Sequence, residues 1–168
     1  MLDPLAQLLA EAAIRRRLLE YCRGIDRCDA ALVAGVYHAD GTDDHGSFQG
    51  LGRQFAVYAT QSLARHALAT THVIGDSLFD WIDAATVEVE TSVLAVHRCA
   101  NDDGEYLERF GGRYFDRFEE RDGDWRIAER ELTWDWDARE LVTRAFPPDR
   151  FRPSPRHASS VERHDQLR

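Results

Sequence analysis

The chain has 168 residues and a mass of 19.2 kDa, the size of one domain with a sizeable core. Hydrophobic residues make up 43% and charged residues 30%, ordinary for a soluble globule, and no run approaches the ~18 apolar residues of a membrane span. The formal net charge of −9 argues against a nucleic-acid partner, which needs a basic footprint for phosphates, and every basic side chain apart from histidine is arginine.

Asp3 and Glu11 leave the N-terminus without the basic start of a signal peptide, so a cytoplasmic protein with no membrane partner is expected. Residues 4–23 read as a helix, with Asp3 as N-cap, Pro4 in the first turn, and an imperfect apolar stripe through Leu5, Leu8, Ala12, Leu19 and Cys22. Gly24 weakens that helix, and Ile25-Asp26 leads into a short second one. Asp29 caps the segment Ala30–Tyr37, which His38-Ala39-Asp40-Gly41 closes. Residues 42–50 are too polar for a central strand and read as an edge hairpin or loop, its acidic run a solvated one. A third helix covers roughly Arg53–Ala69.

Strands take over from Thr70. The first begins at Thr70-Thr71-His72, a turn falls at Asp83-Ala84, and Thr86–Arg98 is the cleanest strand of the chain. After a loop at Asn101–Gly104 come two long strands over 105–136, joined by Arg121-Asp122-Gly123-Asp124 with Asp-Gly at its centre. Strict alternation on the last strand sets Trp125, Ile127, Glu129 and Glu131 against Arg126, Ala128, Arg130, Leu132 and Trp134, with Trp136 on Trp134's side. Arg130 thereby joins an apolar row, an odd place for a permanent charge unless an anion or dipole meets it. Gly111-Gly112 in the middle of the preceding strand signals a bend. The expected fold is α+β: a cone in which a curved antiparallel sheet wraps around three N-terminal helices, with residues 1–141 as the domain and 142–168 as a Pro- and Arg-rich tail.

Tyr21, Asp26, His72 and Arg130 are the residues such a cone can gather. Read structurally, His72 is a hydrogen-bonded element end, Asp26 a cap or a partner of Arg23 or Arg27, and Tyr21 a core residue. Read chemically, a carboxylate on one imidazole nitrogen fixes the tautomer and leaves the other nitrogen as a general base. A phenol and a guanidinium are donors for an oxyanion or a leaving group. Trp134, Leu132, Tyr37 and Phe48 are the expected pocket lining. No phosphate-binding glycine motif appears, and the spacing of His38, His45, His72 and His97 does not support a metal site, so neither cofactor nor metal is expected. Cys22, Cys28 and Cys99 read as bystander thiols.

Over about residues 5–140 the sequence resembles the SnoaL-like family of the cone-shaped nuclear transport factor 2 like superfamily. The resemblance rests on Tyr21–Asp26, the Thr70-Thr71-His72 triplet and, most specifically, GGRYFDRFEERDGDWRIAER at 111–130. It is nearest to the branch of hexachlorocyclohexane dehydrochlorinase, scytalone dehydratase and bile-acid 7α-dehydratase. That resemblance implies His72 as general base, Asp26 as its orienting carboxylate, and Arg130 and Tyr21 as further site residues. Tyr21 stands where the dehydrochlorinase has lysine, which turns the expectation from dehydrochlorination towards a hydroxyl leaving group or a keto substrate. Ile25 stands where scytalone dehydratase has tyrosine, which argues against scytalone. The implied function is a cofactor-independent lyase of the dehydratase kind, acting on a medium-sized apolar keto or hydroxy molecule such as a steroid, terpenoid or polyketide. The alternatives are an isomerase of the ketosteroid-isomerase type, and a noncatalytic binding module or accessory subunit. The resemblance also implies a homo-oligomer, a trimer before a dimer, because the elimination enzymes it resembles are trimeric; a further motive is that the outer sheet face is expected to carry Val87, Val89, Val93 and other apolar groups.

Overall fold

The computed structural model describes residues 3–143, 145–147, 150 and 151; most of the expected 142–168 tail lies outside the described residues. Helices α1 (Pro4–Arg27) and α2 (Ala30–Ala34) are followed by strands β1 (Tyr37–Asp44) and β2 (Gln49–Leu51) and by helix α3 (Gly52–His66). Four long strands complete the fold: β3 (Ala67–Trp81), β4 (Thr86–Asn101), β5 (Gly104–Arg121) and β6 (Asp124–Leu141). They form a curved, unclosed six-stranded sheet in the order β2-β1-β6-β5-β4-β3, with the helices packed on its inner face. The α+β class is as expected. The sheet is not wholly antiparallel, however, because β1 runs parallel to β6.

Asp3 accepts the N–H groups of Leu5 and Ala6 at 3.0 and 3.1 Å, and Pro4 opens α1 at no hydrogen-bonding cost. The helix does not break at Gly24. It runs on to Arg27 and stops at Cys28, which adopts a left-handed φ of 53°. Gly24 instead allows α2 to approach, since a Cβ there would stand 2.6 Å from Val33 Cγ2. The buried stripe of α1 is Ala10, Ile14, Leu18, Tyr21, Cys22 and Ile25, whereas Leu5, Leu8 and Leu19 are exposed. Of the expected stripe only Cys22 is buried; the rest had the right period on the wrong face.

Helix α2 ends at Ala34, and Tyr37 already belongs to β1, a strand the expected helix and loop had absorbed. β1 and β2 do form an edge hairpin, yet β1 lies second from the edge. Its Asp43 is buried, so the acidic run is not simply solvated. On β4, Val87, Val89 and Val93 point into the core and not outward. The outer face of these strands carries ion pairs instead, Arg117 with Glu88 and Arg113 with Glu90. These three valines therefore do not supply an apolar outer face; among the apolar groups exposed there are Val73, Leu94 and Phe115.

The β5–β6 turn places Asp122 and Gly123 at φ of 55° and 82°, the two positive values that a tight hairpin of this twist requires. Two register shifts then bend the pair. Between Phe118↔Ile127 and Arg117↔Glu129, Ala128 is the extra residue, and the alternation changes phase. Trp125, Ile127 and Arg130 consequently all face inward, where strict alternation had set Arg130 against the first two. The second shift pairs Gly112 with Trp134 and Gly111 with Trp136, sending the two indoles to opposite faces instead of the same one. Trp136 lies against Gly111, where a Cβ would stand 2.4 Å from the indole.

Candidate active site

The strand register sets inward side chains in rows across the sheet. Thr70, His97, Glu108 and Arg139 share one row, and His72, Ala95, Phe110 and Asp137 the next. Ile74, Val93, Gly112 and Trp134 follow, then Ser77, Thr91, Tyr114 and Leu132. Beyond these come Phe79, Val89, Asp116, Arg130 and, through β1, Asp43.

Asp26, in the last turn of α1, faces the start of β3. Its Oδ1 accepts from His72 Nδ1 at 2.7 Å and from the Thr70 hydroxyl at 2.8 Å, and its Oδ2 accepts the His72 backbone N–H at 3.1 Å. An ionised carboxylate only accepts, so the proton sits on Nδ1 and Nε2 is the nitrogen left to act as base. The pair is near the surface: the Asp26 side chain is 25% exposed and the His72 side chain 9%. His72 lies 5.7 Å from His97, centroid to centroid. His97 in turn lines a cleft of about 550 Å³ with Glu108, Phe110, Asp137 and Arg139, so the dyad stands beside an open, polar mouth.

Tyr21 and Arg130 lie deeper, in a sealed cluster. Asp116 accepts from Arg130 Nε and Nη2 at 2.6 and 2.7 Å, with both side chains 0% exposed. The guanidinium carbon stands 4.2 Å from the Tyr21 ring centre and 4.0 Å from that of Tyr114. Its Nη1 is buried without a hydrogen-bond partner among the described residues. Burial works to lower the Arg130 pKa, but the Asp116 charge and hydrogen bonds hold it well above the ordinary value. Burial also pushes the Tyr21 and Tyr37 phenols well above the ordinary value, and the Cys22 thiol up to about 12.

β1 adds a second histidine–aspartate pair to this cluster. Tyr37 donates to Asp43 Oδ2 at 2.5 Å, Asp43 Oδ1 bonds His45 Nδ1, and His45 Nε2 meets the Tyr21 hydroxyl at 3.2 Å. The imidazole stacks on Phe55 at 4.1 Å. Sequence reasoning weighed His45 only as a metal ligand and passed over Asp43 and Asp116. Two signals were available: period-two spacing of Tyr37, Gly41, Asp43 and His45, and the row Gly112, Tyr114, Asp116, Phe118 that puts a carboxylate across from Arg130.

The residues named from sequence therefore fall into two groups. His72 and Asp26 touch at the mouth, while Tyr21, Tyr37 and Arg130 meet in the core; Tyr21 and Asp26 are about 7.5 Å apart along the axis of α1. Leu132 and Phe48 are half-buried packing residues, Phe48 against Phe55 and Tyr58. Trp134 is exposed, its indole N–H bonded to Asp137 of the cleft at 3.2 Å.

A curved α+β cone with helices on its inner face defines the nuclear transport factor 2 like class. Residues 6–131 match the SnoaL-like domain, and the chain belongs to that family. No curated protein is similar enough to count as a match. Among solved structures, one provisionally named scytalone dehydratase from Novosphingobium aromaticivorans superposes with a TM-score of 0.72 at 22% identity, covering 89% of this chain and 100% of its own. Hexachlorocyclohexane dehydrochlorinase (LinA) type 2 gives 0.76 at 18% identity, over 88% and 99%. The β subunit of a provisionally named aromatic-ring-hydroxylating dioxygenase from N. aromaticivorans gives 0.62 at 19%, over 77% and 92%. At these identities the likeness is one of fold. No described helix is long and apolar enough to cross a membrane.

Proposed function

We propose that the protein is a cofactor-independent lyase of the dehydratase kind, in which His72 takes a proton from carbon and Asp26 holds it in the required tautomer. The observation that carries this reading is the three-donor seat of the Asp26 carboxylate, which fixes His72 Nδ1 and leaves Nε2 free for proton transfer. Arg130 and Tyr21 are the donors deeper in the cone. The substrate is a medium-sized keto or hydroxy molecule whose body is apolar and whose outer end meets the polar mouth at His97, Glu108 and Asp137. An isomerase would use the same base for enolisation. The location is cytoplasmic and the assembly a homo-oligomer, a trimer before a dimer, both within the same reading.

The benzaldehyde–acetone aldol adduct, a β-hydroxy ketone whose dehydration product absorbs in the near ultraviolet, tests both chemistries. The wild-type protein is expected to catalyse deuterium exchange α to the carbonyl and loss of water, and His72→Ala to lose both. Exchange that persists in folded His72→Ala protein would sink the assignment of the base.

A second reading is supported by how full the core is. Tyr21, Tyr37, Phe118 and Arg130 are all essentially buried, as a noncatalytic accessory subunit with a filled cone would have them. Absence of exchange and of binding across a panel of cyclic ketones would favour it.

A further inference from the structure

The carboxylate of Asp26 takes all three of its donors from β3, and no arginine meets it among the described residues. Sheet order explains why. β3 is an edge strand, so the N–H groups on its outer side have no further strand to pair with. The His72 N–H turns to Asp26 Oδ2 at 3.1 Å, and the last turn of α1 thereby stands in for the absent strand. Side chains two residues apart share a face, which brings the Thr70 hydroxyl and the His72 imidazole to the same carboxylate. Thr71 lies between them, exposed on the opposite face.

Two of the donors meet one oxygen. Oδ1 accepts from the Thr70 hydroxyl at 2.8 Å and from His72 Nδ1 at 2.7 Å. A donor on an ionised carboxylate stabilises that charge and leaves less of it to hold a second donor. No cation shares the task here, so the hydroxyl carries a large part of it. Thr70 is also held in place, being 8% exposed and β-branched, with few rotamers open to it. The imidazole stands beside Asp26 from α1, His97 from β4, Glu108 from β5, and Asp137 and Arg139 from β6. Of these, Asp26 alone hydrogen-bonds it, so Asp26 sets how firmly the ring keeps a second proton.

We propose that Thr70 is a positioning residue of the base, whose hydroxyl shares the charge of Asp26 Oδ1 and so limits how firmly Asp26 holds the imidazolium that forms at His72. This rests on the lyase reading and names a residue that touches neither the substrate nor the reacting atoms. The proton taken from carbon goes to Nε2, while the Nδ1 proton stays in its bond to Oδ1 and Thr70 keeps its own. Before the next turnover Nε2 must pass its proton on to solvent. A carboxylate without the Thr70 hydroxyl would hold the charged ring more tightly and hinder that release.

Thr70→Val removes the hydroxyl at nearly constant shape, Thr70→Ser keeps one, and Thr71→Val is the control on the outer face. The first readout needs no substrate. The Nδ1–H proton resonance of His72 is expected to move to lower field in Thr70→Val, as its bond to Oδ1 tightens, and to return in Thr70→Ser. The second is α-deuterium exchange of the aldol adduct, followed across pH. Thr70→Val should shift the acidic limb of the kcat profile to higher pH with KM unchanged, because a ring held more firmly as imidazolium is freed only in stronger base. Thr70→Ser and Thr71→Val should keep the wild-type profile. Should Thr70→Val not fold, Thr70→Ala carries the same comparison. A resonance and a profile that ignore loss of the hydroxyl, or changes that Thr70→Ser shares, would make Thr70 a packing residue and overturn the proposal. If the wild-type protein exchanges no α-deuterium, the lyase reading falls by itself, and the resonance alone decides whether Thr70 sets the hold on the imidazole.

Discussion

His72–Asp26 and His45–Asp43 share the same bond from Nδ1 to a carboxylate but differ in their surroundings. The first sits where α1 ends and β3 begins, beside the cleft, with its carboxylate anchored by a hydroxyl and a backbone N–H. The second is enclosed by tyrosines, Phe55 and the Arg130–Asp116 pair. Proximity to solvent leaves the outer pair open to proton exchange with water. Enclosure ties the inner pair to the stability of the whole cone. One motif thus has two consequences, and removing residues from each region should separate them.

The largest separation is expected at the mouth. With a turned-over substrate in hand, His72→Ala should cut kcat by roughly 10²–10⁴ while the protein still unfolds cooperatively, and Asp26→Asn should impair turnover through the wrong tautomer. Initial rates beside a denaturation curve make the test. Unchanged turnover in folded protein would erase the functional half of the comparison.

In the core the effect should fall on stability. Asp116→Ala leaves the Arg130 guanidinium buried without its carboxylate, and urea unfolding is expected to show a loss of about 3–5 kcal/mol. A loss below about 1 kcal/mol would mean that solvent reaches Arg130 after all.

Base should act on the same region. Burial raises the folded-state pKa of Tyr21, Tyr37 and Tyr114 above the ordinary value of 10.0. The unfolded chain therefore releases these protons first. Their contribution to stability is intact below pH 10.0 and declines above it, by about 1.4 kcal/mol per phenol for each further pH unit. Alkaline unfolding followed by circular dichroism should steepen there, and less so in Tyr21→Phe. The smallest effect is expected at the α1–α2 contact, where Gly24→Ala should cost about 1–3 kcal/mol through collision with Val33. An unchanged melting temperature would show that α2 can retreat.

The cone and the contact between His72 and Asp26 were legible because local signals and family pattern agreed. Asp3, Asp29 and Asp122-Gly123 acted as read, and His72 met Asp26. Arg130 was placed inward, although the strict alternation used to place it set Trp125 and Ile127 on the wrong side. A single extra residue, Ala128, has no signature in composition and reverses the parity from Arg130 to Trp134, until the second shift restores it. Asp43 and His45 escaped for a different reason. Their run of aspartates reads as solvated until β6 is known to lie alongside, and that pairing is parallel and spans most of the chain. Val87, Val89 and Val93 alternated cleanly, but alternation shows only that one face is apolar, and the helices had to show which.

The parallel pairing of β1 with β6 also sets an order of events during synthesis. Tyr37 finds its partner Ile127 ninety residues later in the chain, after every other strand has been made. Until then the ribosome-bound intermediate holds Asp43 without Arg130 alongside, with the β6-pairing edge of β1 open to other nascent chains. The His72–Asp26 pair needs only α1 and β3 and can assemble sooner. The inner cluster is accordingly the last part of the cone to be sealed, and a slow phase in refolding should carry its tyrosine signal.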